Sequence, residues 1–181
     1  QKYCKRNKEE AHMGEIRNAV CLKDFITVYQ VFQEEPFLEN WEEDEIKKEY
    51  FSLLEKGALI FGYYKENNCI GIITMYPFIK GEHPITFKST KVMYLSDIAV
   101  INEHRRHGIG SQLFDKCIEV SEEKGYELIY MRTNAPKGVS KSKGIALQKG
   151  FEETEHRQKI SVMRTDGTIK TDERMILVKK L

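Results

Sequence analysis

The alternation of apolar and polar positions predicts a chain that switches repeatedly between strand and helix. Residues 15–20 alternate with period two, as a half-buried strand does. Phe25, Val28, Tyr29 and Phe32 then recur at i, i+3, i+4 and i+7, one stripe of a helix with Asp24 in its opening turn. A second helix is expected from Trp41 or Asp44, with Ile46, Tyr50, Leu53 and Leu54 on one face and Gly57 as its stop. Two β-rich runs, 58–64 and 69–76, flank the polar turn Lys65-Glu66-Asn67-Asn68 and predict a hairpin that Pro77 ends or confines to an edge. Residues 78–90 show no period. So long a connection is expected to border a site and to be mobile without ligand.

Residues 92–100 are apolar on both alternating sets except at Ser96 and Asp97, which predicts a central strand covered on both faces. A helix follows from Gly108 to about Lys124, with Ile109, Leu113, Phe114, Cys117, Ile118 and Val120 inward and Gly125 as its end. Residues 127–132 form the next strand, and Asn134-Ala135-Pro136-Lys137-Gly138 a turn cluster. Ser140 or Ser142 then caps a short helix that ends before Gly150-Phe151. Residues 152–163 and 173–180 are two strands around an Asp166-Gly167 turn. The first half of 152–163 is polar on both sides, as at an exposed edge or an interface. The predicted order is β-α-α-β-β-β-α-β-α-β-β, an α/β fold.

At 181 residues the chain suits one domain, 13–181, preceded by a basic lead-in, 1–12, expected to be poorly ordered or auxiliary. A net charge of +1 provides no global basic field, so nucleic acid is not an expected partner. No apolar run approaches 18 residues, so no membrane span is expected and the protein should be soluble. Cys4, Cys21, Cys69 and Cys117 lack metal-ligand spacing, so no metal is expected and a reducing cytoplasm fits.

The candidate chemistry centres on Arg105-Arg106-His107-Gly108-Ile109-Gly110, followed by Ser111, between the central strand and its helix. The first N–H groups of a helix lack internal partners and carry the positive end of its dipole, so they attract an anion. Gly108 and Gly110 present no Cβ to block that approach, and Arg105 and Arg106 add two cations. A dinucleotide fingerprint would need glycine at Leu113, and a Walker loop a Gly-Lys-Ser/Thr that is missing here.

Arg105, Gly108 and Gly110 fit the Arg/Gln-x-x-Gly-x-Gly/Ala signature, and with the preceding run 94–100 the chain resembles the GNAT family of N-acetyltransferases. The resemblance covers nearly the whole of 13–181. It implies a single-domain GNAT-like fold, a mixed central sheet of about seven strands flanked by about four helices. It also implies acetyl-CoA as co-substrate, its pyrophosphate on this turn and its pantetheine arm along a bulged strand at Ile98, Ala99 and Val100, with main-chain contacts from Ile98 and Val100. Asn134 is the counterpart of an Asn at the end of the fifth strand, but it lies further upstream of Phe151 than usual, implying an insertion around 136–139. The family's helix tyrosine, five residues before Phe151, is Ala146 here, so the usual acid for the leaving thiolate is missing.

The implied reaction moves an acetyl group to a primary amine, in a small molecule or peptide, by direct attack on the thioester. An alkylamine is almost wholly ammonium at neutral pH, its pKa being about 10.4, so a base is required. Asp97 is the first candidate, directly or through water; its alternative role is to hold the strand bulge. His104 and His107 lie toward the phosphate end, as surface residues, and Tyr76 and Tyr94 are further hydroxyls that could sit near the thioester. The acidic run 34–45 is either a solvated helix start or a negative collar favouring a cationic acceptor. A homodimer is compatible with the family. The other reading is a catalytically weak acetyl-CoA-binding sensor or interaction module, for which Ala146 is the main support.

Overall fold

A computed structural model describes residues 14–35, 37–134 and 141–181. The lead-in 1–12, the domain start at Met13, the insertion around 136–139 and the capping Ser140 lie outside the described residues. Seven strands form one sheet in the order β1-β2-β3-β4-β5-β7-β6. They are β1 (Glu15–Asn18), β2 (Leu59–Lys65), β3 (Asn68–Pro77), β4 (Val92–Val100), β5 (Leu128–Asn134), β6 (Glu152–Met163) and β7 (Ile169–Lys180). Only β4 and β5 run parallel, joined by a crossover through a helix; the other neighbours are antiparallel. The helices among the described residues are α1 (Leu22–Tyr29), α2 (Glu43–Glu55), α3 (Ile109–Glu123) and α4 (Lys141–Gln148).

Strand alternation sends side chains to two cores on opposite faces of the sheet. Ile72, Tyr76, Val92, Tyr94, Tyr130 and Ile176 join α1 and α2 on one face. Ile73, Met75, Met93, Leu95, Ile129 and Leu177 join α3 on the other. Consecutive residues of β3, β4 and β5 therefore face opposite cores, which is why 92–100 is apolar on both of its alternating sets.

The helix stripes hold with one correction. Phe25, Val28 and Tyr29 of α1 and Ile46 and Leu53 of α2 are buried, whereas Leu54 is 47% exposed. The inward stripe of α2 passes through 46, 49, 50 and 53, and Leu54 is one step of about 100° beyond it. Glu49 is therefore on the inward face. In the tail, β7 starts at Ile169 rather than 173, because hairpin pairing with β6 draws polar residues into the ladder regardless of pattern. β6 is an edge strand with an irregular register between Glu153 and Arg157, and its first half is largely exposed.

The connection 78–91 is anchored rather than loose. His83 and Ile85 are buried, Phe78 and Phe87 set their rings against Tyr130, and Glu82 pairs with Lys56 at 2.7 Å. No helix among the described residues is long and apolar enough to cross a membrane.

With both faces of the sheet covered, Ile72→Ala and Ile73→Ala should each destabilise the fold by about 2–5 kcal/mol in denaturant unfolding. A negligible loss at either position would mean that its face is not packed.

Candidate active site

The site begins with a one-residue irregularity in the middle of β4. Thr74 of β3 stands opposite Asp97 and Met75 opposite Leu95, so Ser96 is an extra residue. The bulge is fastened by side chains: Ser96 and Thr74 hydroxyls lie 2.5 Å apart, and the Asp97 amide donates to Thr74 Oγ1 at 3.1 Å. A bulge reverses the facing of every later residue. Asp97 accordingly shares a face with Tyr94 and the α1–α2 core, and Ile98 and Val100 turn to the α3 side.

The same irregularity separates β4 from β5. Their pairing stops at Leu95 and Met131, while both strands continue. Ile101 donates its amide to Ile70 of β3, so by alternation Ala99 also faces β3 while Ile98 and Val100 aim their backbone groups into the gap. The expected main-chain contacts therefore fit Ile98 and Val100. Ala99 borders the gap with its own backbone directed the other way.

A cleft of about 900 Å³ fills this gap and extends to both ends of it. At one end is the glycine turn. Arg106 and Gly108 adopt positive φ, 65° and 77°, and Gly108 is the residue before the first turn of α3. That turn carries no acidic side chain and no side-chain cap, so its amides are left for an outside acceptor. Arg105, Arg106, Gly108, Ile109, Gly110 and Ser111 all border the cleft, as the anion-site reading requires. Arg105 also donates from Nε to the Val100 carbonyl at 2.8 Å, tying the turn to the end of β4. His107 is exposed and outside the cleft wall, whereas His104, expected at the surface, lies on it. Asn134 is buried at the cleft margin, its carboxamide oxygen accepting from Arg174. These features fit a pyrophosphate and an extended arm: exposed amides, no Cβ at Gly108 or Gly110, and an unpaired strand edge beyond.

Asp97 stands where the gap opens toward α1 and α2. Tyr29 Oη donates to its Oδ2 at 2.5 Å. Burial raises the Asp97 pKa above the usual carboxylate range, partly opposed by the Tyr29 hydrogen bond and by the charges of Arg132 and Arg174. Tyr29 is itself fixed by stacking on Phe25 at 4.4 Å and by the edge of Trp41 at 5.4 Å. A partly desolvated carboxylate on a rigid mount suits a general base better than a solvated one.

Beyond Asp97 the walls are aromatic and acidic. Of the acidic run 34–45, only Glu39 and Glu45 reach the cleft; Glu42, Glu43 and Asp44 are solvated at the start of α2. Glu45 also stands with Glu43 and Asp44 in the first turn of α2, so the run supplies both cleft-lining and helix-start carboxylates. Glu49 and Glu82, absent from the sequence-based candidates, also line it. Burial raises the pKa of Glu39, against which Trp41 donates to it at 2.8 Å. Burial likewise raises Glu49, reinforced by the charge of Asp97. Burial acts upward on Glu82 too, but hydrogen bonds from Lys56 and Tyr76 outweigh it and the net shift is downward.

The other polar groups here are mutually satisfied. Arg132 donates to Tyr94 Oη at 3.0 Å and Gln158 Oε1 at 2.7 Å, and Tyr76 donates to Glu82 at 2.9 Å. The two expected hydroxyls, Tyr94 and Tyr76, are thus present but engaged. His83 sits 2.9 Å from the Tyr130 hydroxyl, and burial holds its pKa down to about 4, so it is neutral at pH 7. Ala146 is buried against the α3 core, and the residues that α4 contributes to the cleft are Lys141, Ser142 and Ile145. No group of three or more metal-ligating side chains occurs among the described residues.

Only the glycine turn and Asp97 had a local signature. Tyr29 was legible as core, not as a partner of Asp97. Glu49 was detectable as a carboxylate on an otherwise apolar helix stripe, while Glu82, Arg132 and Arg174 had no marker in the sequence.

Comparison with known proteins agrees with this fold. The profile of the acetyltransferase (GNAT) family matches residues 25–138. The chain therefore belongs to the GNAT acetyltransferase family. It is 32% identical over 91 residues to streptothricin acetyltransferase A of Bacillus subtilis, a match covering 50% of this chain and 46% of that protein. The matched stretch thus spans about half of this curated relative. Among solved structures, the ribosomal-protein-alanine N-acetyltransferase of Brucella melitensis superposes with a TM-score of 0.71 at 19% identity, covering 92% of this chain and 99% of that one. A Salmonella typhimurium protein described as an acetyltransferase, solved with its cofactor acetyl-CoA, gives 0.65 at 13% identity over 93% and 94%.

A Cβ at Gly110 would lie 3.2 Å from Ile145 Cδ1, a flexible side-chain end, so the fold can accept a larger residue there. Gly110→Val should keep its unfolding midpoint within a few degrees yet weaken acetyl-CoA binding about tenfold or more in a calorimetric titration. Unchanged affinity would remove the glycine turn from the cofactor site.

Proposed function

We propose that this chain transfers the acetyl group of acetyl-CoA to a primary amine by direct attack on the thioester, and that its acceptor is a small cationic amine. The carrying observation is the position of Asp97, a half-buried carboxylate between a glycine turn suited to a pyrophosphate and an aromatic, acidic pocket. Acetyl-CoA brings the activated acyl carbon; the remaining tasks fall to the protein. The Ser111 and Gly110 region of α3 holds the anionic linkage through backbone amides, and the opened edge of β4 holds the arm at Ile98 and Val100. Glu39, Glu45 and the aromatic walls attract the acceptor as ammonium. Asp97 takes the ammonium proton, which frees the nitrogen lone pair; the nitrogen bonds to the acyl carbon, the carbon–sulfur bond breaks, and the nitrogen gives up a second proton to solvent as the amide forms. A free thiol has a pKa of about 8.5, so water can reprotonate the departing sulfur and the tyrosine that Ala146 replaces is dispensable. The curated relative's name puts streptothricin in the acceptor panel beside simple alkylamines and polyamines.

Release of free thiol from acetyl-CoA should be faster with cationic amines than with neutral ones, and salt should narrow the difference. Absence of release with every amine would refute acetyl transfer. Asp97→Asn should lower kcat by about a hundredfold or more. Because activity needs Asp97 ionised, the rate falls as pH drops through its raised pKa. Tyr29 lowers that pKa, so Tyr29→Phe should move the acidic limb of the pH–rate profile to higher pH. A limb that stays in place would separate Asp97 from the proton transfer.

A further inference from the structure

Glu49 occupies a position that packing alone would give to an apolar residue. It lies on the inward stripe of α2, between Ile46 and Leu53, both fully buried, and its side chain borders the acceptor end of the cleft. It makes no hydrogen bond or ion pair with any described residue. The three cations at this end are already engaged. Lys56 reaches Glu82 at 2.7 Å, Arg132 bonds Tyr94 and Gln158, and Arg174 bonds Asn134 and lies 3.5 Å from Asp172. The Glu49 oxygens keep access to the open cleft, where a cationic group of a ligand can pair with them. Trp41, half-buried, lines the same cavity with a ring whose face favours cations.

Asp97 is mounted on Tyr29 to receive the proton of the reacting nitrogen, whereas Glu49 comes from α2, lines the same cleft and lies near enough to feel the charge of Asp97. We infer that Glu49 binds a second positive charge on the acceptor, so that the preferred substrates are amines carrying another ammonium or guanidinium group. This rests on the cleft being the amine site proposed above and narrows its acceptor to dications.

The test is a calorimetric titration of the full chain, saturated with coenzyme A, with 1,4-diaminobutane and with butylamine. Wild-type protein should bind the diamine about tenfold or more tightly than the monoamine. Glu49→Gln should weaken the diamine about tenfold more than the monoamine, and Glu49→Asp should keep part of the preference. Equal affinities in the wild type, or a preference that survives Glu49→Gln, would overturn the inference. The two-amine comparison on unaltered protein stands even if a variant misfolds. Thiol release from acetyl-CoA without a diamine preference defeats Glu49 alone; a Glu49-dependent preference without release defeats acetyl transfer and keeps the subsite.

Discussion

The extra residue in β4 is the constraint on which the remainder depends. A regular strand would place Asp97 on the α3 face and continue its ladder with β5 to the end. Ser96 instead takes up one position, the Thr74 and Ser96 hydroxyls bond each other, and every later side chain changes face. Two consequences follow from this single event: Asp97 meets Tyr29, and β4 leaves β5 with backbone groups directed into the opening. Bulges commonly redirect a side chain and end pairing beside active sites, and here one bulge does both.

The second organising feature is the division of charge along the cleft. The end at the glycine turn presents backbone amides and arginines, with no acid in the first turn of α3. Its other end carries Glu39, Glu45, Glu49, Glu82 and Asp97, while its cations are held by internal partners. The two ends of the cleft thus differ in charge. The aromatic core under α1 supports Asp97: Phe25, Tyr29 and Trp41 pack as a unit, so the hydroxyl that orients Asp97 belongs to a rigid ring.

The roof over this acidic end is made by distant parts of the chain. Asn40 donates its amide to the Met163 carbonyl at 2.8 Å and Thr165 to Leu38 at 2.9 Å, joining the α1–α2 connection to the tip of the β6–β7 hairpin. Arg174 of β7, beneath this roof, lies 3.6 Å from Glu39 and bonds Asn134. The polar edge hairpin therefore bounds the cleft, which accounts for alternating strand residues near its tip that do not enter a core.

The sequence by itself determined the elements, the two-sided burial of β4 and the glycine turn before α3, because each is a local property: hydrophobic period, a glycine without Cβ, a helix start without an acid. It also marked Asp97, since a carboxylate within an apolar strand needs an explanation. Tertiary structure alone decided Asp97's face, because the bulge displaces it by one position and depends on Thr74 from another strand. Leu54 lies outside the core and Glu49 within the inward stripe because helix packing selects one of two adjacent faces, and an apolar count does not. Glu82, Arg132 and Arg174 came together through sheet order and the anchoring of 78–91, long-range pairings whose partners carry no local periodic signal.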